Sequence, residues 1–176
     1  VKYDSKMKGT PVVKYDSKMN ARGGRLASAL SLVTCLLWAG AALGQNTERP
    51  VKMKDLPPTV QTTVREQSKG AVVRGLSMET DNGQTFYEVS LRVRGRIRDV
   101  TMDTNGNVIE IEEQVTLASL PPAARAEIVR QAGKGRILLV ESIKKNDAIV
   151  AYEAHVRAAG KISEIKVDPD GKPVAQ

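Results

Sequence analysis

Hydrophobic and polar residues alternate strictly from Tyr87 to Arg94. Tyr87, Val89, Leu91 and Val93 interleave with Glu88, Ser90, Arg92 and Arg94. A period of two predicts a strand that buries one face. After Gly95 the apolar set resumes at Val100 and Met102, and an Asn105-Gly106 turn follows. Keeping both apolar sets on one face requires a loop of even length. A Gly95-Arg96 loop meets that condition and puts Gly at the first central position of a type II′ turn. That register sets Arg92 opposite Asp99 and Ser90 opposite Thr101, and leaves Glu88 facing Asp103. Upstream, Val60, Val64 and Gln67 recur at helical spacing after Leu56-Pro57-Pro58, with Gly70 just beyond as a C-terminal cap. A run rich in aliphatic residues (71–80) and an Asp81-Asn82-Gly83 turn lead into the central strand, and residues 107–115 alternate as a further strand.

The same plan is written again downstream. Leu120-Pro121-Pro122 repeats Leu56-Pro57-Pro58, Tyr152-Glu153 repeats Tyr87-Glu88, Gly160 repeats Gly95, and Asp168-x-x-Gly171 repeats Asp103-x-x-Gly106. The second helix carries Ala124, Ile128 and Ala132 on one stripe with Val129 beside it, and Gly133 beyond. A strand over 136–143 and an Asn146-Asp147 turn precede the second hairpin. There the reading places a loop at Gly160-Lys161, His155 opposite Glu164, and Glu153 opposite Lys166. Correspondences in this order indicate an internal duplication. The predicted fold class is α+β: two tandem helix-plus-antiparallel-sheet repeats, 55–115 and 116–176, each with its own sheet.

Charge and composition change the picture mainly at the N-terminus. The chain has 27 Lys/Arg against 20 Asp/Glu, but seven of the basic and only two of the acidic residues fall in 1–44. The remainder is close to neutral, which removes the composition argument for a nucleic-acid partner. VKYDSKM occurs twice, at 1–7 and 13–19, and residues 1–18 read as an over-extended start ahead of Met19. From Met19, Arg22 and Arg25 precede an apolar run over 26–43, and Ala42-Leu43-Gly44 offers a small-residue exit. Residues 19–44 thus read as a signal peptide, with an uncleaved anchor as the alternative. Either way the rest of the chain is expected outside the cytoplasm, periplasmic or secreted, and the membrane enters only if the leader is retained. Cys35 and Trp38 lie inside the leader, so no disulfide can staple the rest. Residues 45–54 are polar and read as a linker.

The leading helix after Leu-Pro-Pro, Tyr-Glu-Val on the central strand, and Val100 to Gly106 (Val-Thr-Met-Asp-Thr-Asn-Gly) together resemble the PepSY domain. Tyr152-Glu153-Ala154 and residues 165–171 are a second, similar stretch. Tandem copies behind a signal peptide resemble the PepSY-like group related in fold to β-lactamase-inhibitor proteins. The resemblance spans about 53–176. It implies a helix packed on an antiparallel sheet. It also implies inhibitory or chaperone-like binding to a protease or other exported protein, without chemistry of the chain's own.

The candidate chemistry agrees with a non-catalytic reading. His155 is the single imidazole of the chain, and no Ser lies in a nucleophile elbow. No His/Cys cluster offers a zinc site, and no cofactor motif is present. His155 reads as a surface strand residue facing Glu164. Asp103, Asn105, Gly106 and Glu112 fall on calcium-loop positions, but Thr101 stands where the first carboxylate belongs, so a plain turn is expected. Arg92, Arg94, Arg96 and Arg98 form a basic hairpin. It either blunts an edge or contacts an acidic partner surface or anionic lipid. The predicted partner-binding face comprises Phe86, Glu88, Arg92, Arg94 and Arg96 in the first unit and Glu153, His155 and Arg157 in the second. The rival class is a structural, envelope-associated module.

Overall fold

Pro58 and Pro122 each occupy the first turn of a helix, where a missing N–H has no helical partner to lose. The helices they open are α1 (Pro58–Gln67) and α2 (Pro122–Ala132). The computed structural model of the chain describes residues 47–175. The over-extended start and the signal peptide therefore lie outside the described residues. A strand β1 (Thr47–Pro50) and a 3₁₀ turn (Met53–Asp55) precede α1, and β2 (Val72–Asp81), β3 (Gln84–Val93), β4 (Arg96–Asp103) and β5 (Val108–Gln114) follow it. A second 3₁₀ turn (Leu117–Ser119) leads to α2, then β6 (Arg136–Lys145), β7 (Ala148–Ala158) and β8 (Lys161–Val167). The architecture is the expected α+β.

The strands form one antiparallel sheet in sequence order, β1 to β8. This corrects the expectation of a separate sheet in each unit. β5 closes the first unit and pairs with β6 of the second through Ile111↔Lys144, Glu112↔Ile143, Glu113↔Ser142 and Gln114↔Glu141. Pairing satisfies two rows of backbone groups that would otherwise face water as open edges. The polar stretch read as a linker also differs: it contributes β1, paired with β2 from Thr47↔Thr80 to Pro50↔Ser77. An edge strand exposed on both faces carries no apolar alternation, so its sequence holds no strand signal.

Both helices pack on one face of the sheet. In the first unit Leu56, Val60 and Val64 meet Val89, Leu91, Val100 and Met102. In the second, Leu120, Ala124 and Ile128 meet Ala154, Val156, Ile165 and Val167. The two sets correspond residue by residue, so the duplicated sequence builds the same core twice. The Gly turns bind sheet to helix. Gly106 and Gly171 both have φ of +82°, and a Cβ on either would strike the backbone of α1 at Thr59 or of α2 at Ala123. In both turns the leading Asp is spent locally. Asp103 Oδ1 accepts from the N–H groups of Asn105 (2.8 Å) and Asn107 (2.9 Å), and Asp168 Oδ1 accepts from Lys172 (2.8 Å). The Asp103 carboxylate is thus committed to a turn, as expected.

Hairpin register needs correction. The β3–β4 loop is Arg94-Gly95, not Gly95-Arg96, with Val93 opposite Arg96. Arg94 (φ +50°) and Gly95 (φ +86°) both take positive φ, the primed turn that matches strand twist. Arg92 therefore pairs with Ile97, Ser90 with Asp99, Glu88 with Thr101 and Phe86 with Asp103. The slip is two residues, which leaves every side chain on its expected face. In the second unit His155↔Glu164 and Glu153↔Lys166 occur as expected, but around an Ala159-Gly160 loop rather than Gly160-Lys161. No helix among the described residues is long and apolar enough to cross a membrane.

Candidate functional site on the open sheet face

The face opposite the helices carries the polar half of each strand's alternation. Following the register across it, Ser90 lies beside Asp99, Asp99 beside Glu112, and Glu112 beside Ile143 on β6. The next row runs Gln114, Glu141, Glu153, Lys166, and the one after it Leu139, His155, Glu164. Carboxylates from five neighbouring strands thus share one surface.

Neither helix covers this face, yet its centre is buried. Glu141, Glu153 and His155 are 3–4% exposed, and Ile143 and Ala151 beside them are buried too. Extra residues at Arg74 in β2, Ile109 in β5, Leu138 in β6 and Val150 in β7 make bulges that bend and twist the strands locally. Long side chains on a bent sheet shield one another, so a strand face patterned as polar is desolvated at its centre. The expectation of His155 as a surface residue is corrected on this ground.

Burial among like charges dominates the electrostatics. Burial, then the Asp99 charge, pushes Glu88 up to about 8. Burial, then Glu141 and Glu153, pushes Glu112 up to about 9. Asp99 is raised by burial to about 6 although Ser90 hydrogen-bonds to it. Where a cation is at hand the sign reverses. Burial disfavours the Glu153 carboxylate, but His155 and Lys166, whose Nζ lies 3.0 Å from Oε2, hold its pKa below the ordinary value. His155 is pushed up to about 10 by the Glu141 and Glu153 carboxylates. Its Nε2 lies 3.3 Å from Glu141 Oε2 and 3.3 Å from Glu153 Oε1, aligned as a hydrogen bond with neither.

The predicted binding residues divide into two places. Phe86, Glu88 and Arg92 on β3 and Glu153, His155 and Arg157 on β7 do share the open face. Arg94 sits in the turn and Arg96 opens β4; with Arg92 they are exposed at one hairpin end. Arg98 points to the helix side, where Nε donates to Glu113 Oε1 at 2.7 Å and Lys144 Nζ donates to Oε2 at 2.6 Å. Sequence reasoning did not single out Asp99, Glu112 and Glu141 as site residues. One signal was available for Glu141: it is the lone acid in the Ile137–Ile143 segment, which is aliphatic apart from it and Ser142.

No family model matches the chain, and no curated protein matches it. Solved structures do. A candidate periplasmic protein of Bacteroides eggerthii is similar at TM-score 0.55 and 15% identity, over 68% of this chain and 86% of that one. A DUF2874 family protein of Bacteroides uniformis is similar at TM-score 0.53 and 17% identity, over 68% and 86%. One of Bacteroides ovatus gives TM-score 0.52 and 17% identity, over 68% and 85%. At these identities the likeness is one of fold, and the chain shares the tandem helix-and-sheet fold of the DUF2874 structures.

Proposed function

We propose that the chain is an exported, non-catalytic PepSY-like protein that binds an extracytoplasmic protein partner, such as a protease or other hydrolase, on its open sheet face. One observation carries the reading: an open face, uncovered by either helix, that gathers half-buried carboxylates from neighbouring strands, with Glu88 and Glu112 pushed up to about 8 and 9 by burial and by nearby carboxylates. Such a face fits a basic segment. A Lys or Arg laid against Glu88 and Glu112 favours their ionised forms, so binding releases protons and is favoured by charge complementarity, to which Asp99 adds. Export rests on the basic-then-apolar leader with its small-residue exit. The fold neighbour named for the periplasm agrees with it.

The test is a calorimetric titration with lysine/arginine-rich, neutral and acidic peptides at low and high salt. The basic peptide binds at low salt, weakens at high salt, and weakens at least tenfold in Glu88→Gln/Glu112→Gln. Equal binding of the acidic peptide, or none of the basic one, overturns the reading.

A second reading has its own observation. Arg92, Arg94 and Arg96 are exposed together at one hairpin end. They could anchor an envelope-associated module to an anionic surface. Co-sedimentation with vesicles containing phosphatidylglycerol, lost in Arg94→Glu/Arg96→Glu, supports it; equal sedimentation of that variant rejects it.

A further inference from the structure

Three donor groups converge on the second unit's face, with His155 Nε2 at ion-pair distance from both carboxylates but hydrogen-bonded to neither. Glu141, Glu153 and His155 each offer a ligand atom, all within 4.8 Å of one another. Glu141 is 3% exposed, and its Oε1 is buried with no hydrogen-bond partner. His155 is 4% exposed, and its Nε2 is likewise buried and unpartnered. Unsatisfied buried polar atoms are costly, and Nε2, set between two carboxylates without a hydrogen bond to either, implies something missing there. The spacing says what. Nε2 lies 3.3 Å from one oxygen of each carboxylate. Ligands about 2.0–2.1 Å from a tetrahedral zinc ion are separated by about 3.3 Å. An imidazole nitrogen in the set argues against calcium, which takes oxygen ligands, and suits zinc or another late first-row ion.

The internal repeat supplies a comparison within the same chain. The register gives Ser77↔Glu88 and Gly75↔Ser90 in the first unit where the second has Glu141↔Glu153 and Leu139↔His155. Ser77 and Ser90 thus occupy the places of Glu141 and His155. The donor set exists only in the second copy, while the core residues of both copies match. A fold requirement would be expected in both; a ligand site need be in only one.

From this geometry we propose that Glu141, Glu153 and His155 form a binding site for one divalent transition-metal ion of the zinc class. Glu153 Oε1 and Glu141 supply oxygens and His155 Nε2 the nitrogen. Lys166 stays on the other Glu153 oxygen, and Glu112 and Asp99 lie next to Glu141 as outer carboxylates. Binding displaces the proton on His155 Nε2, so affinity rises with pH. The inference is independent of the peptide-binding reading; either can fail alone.

Because His155 is the single histidine, its ring nitrogens are unambiguous in the full chain. Two-bond ¹H–¹⁵N spectra are recorded on metal-free protein while Zn²⁺ is added. The expected result is a new, metal-bound Nε2 signal that saturates at one equivalent, and a raised thermal midpoint. Zinc taken by Cys35 would leave these signals unmoved. Glu141→Gln, checked for folding by circular dichroism, should weaken binding at least tenfold, whereas Glu66→Gln on α1 should not. An unshifted imidazole at excess Zn²⁺ overturns the proposal, showing a buried ion-pair cluster only. So does Nε2 metal-binding undiminished in a folded Glu141→Gln, or a response to Ca²⁺ equal to that with Zn²⁺.

Discussion

Gly106 lies directly against the backbone of Thr59: a Cβ at Gly106 would come within 2.9 Å of the Thr59 carbonyl carbon and oxygen. The matching contact sets Gly171 against the Ala123 carbonyl oxygen, at 2.7 Å. Both glycines also hold φ at +82°. Gly106→Ala and Gly171→Ala therefore combine left-handed strain with a backbone clash, and each should cost about 2–4 kcal/mol. Gly95, at φ +86° but with open space around it, isolates the first effect. Gly95→Ala should cost only about 1–2 kcal/mol. Urea denaturation of the three variants makes the comparison, and equal losses would remove the clash from the account.

Neighbouring positions on α2 should differ sharply. Ile128 is fully buried against the second core, whereas Val129 is 49% exposed. Ile128→Ala should cost about 2–5 kcal/mol by lost burial and an unfilled cavity. Val129→Ala should stay within about 0.5 kcal/mol. Thermal or chemical unfolding reads both.

Stability should fall as pH rises from mildly acidic to alkaline. Glu88, Glu112 and Asp99 have folded pKa values raised to about 8, 9 and 6, and that of His155 is raised to about 10. Over that window the folded chain keeps protons that the unfolded chain has lost, so each pH step favours unfolding. Glu113 and Glu153 act oppositely, their pKa values being lowered, and their contribution disappears only as pH drops below the usual carboxylate range. The urea midpoint of metal-free protein should be lower at pH about 9 than at about 6, and Glu112→Gln should flatten the slope. A midpoint that rises over the window contradicts the raised values.

Glu113 holds two strands' cations at the seam between the units, taking Arg98 of β4 and Lys144 of β6. Burial opposes its ionisation, yet the hydrogen bonds from Lys144 and Arg98 keep its pKa below the ordinary value. The three side chains are a quarter to a third exposed, so solvent screens the cluster. Glu113→Ala should cost about 1–2 kcal/mol, less at high salt. Salt-independent loss would assign the effect to packing.

How far the open face was legible depended on distance along the chain. Pairs within the second hairpin could be read, whereas those of the first came out two residues off. His155 with Glu164 and Glu153 with Lys166 follow from alternation and a short loop. Glu141 meets His155 only because β6 pairs with β7 around a turn at Asn146-Asp147, past a bulge at Val150 that pattern alone does not place. Glu112 reaches the same cluster through the β5–β6 pairing between units, which nothing local encodes.

The linear order of residues was enough to establish the duplicated helix-and-hairpin plan and which side of each strand faces its helix. Those properties depend on periodicity, and a two-residue slip in a hairpin leaves them intact. Tertiary structure alone decided that the two units share one sheet and that the polar side of that sheet is buried at its centre. Burial is a property of what surrounds a side chain in space. Glu153 and His155 read as solvent-facing from the alternation of their own strand, and with Glu141 they became a desolvated cluster once β6 and β7 paired.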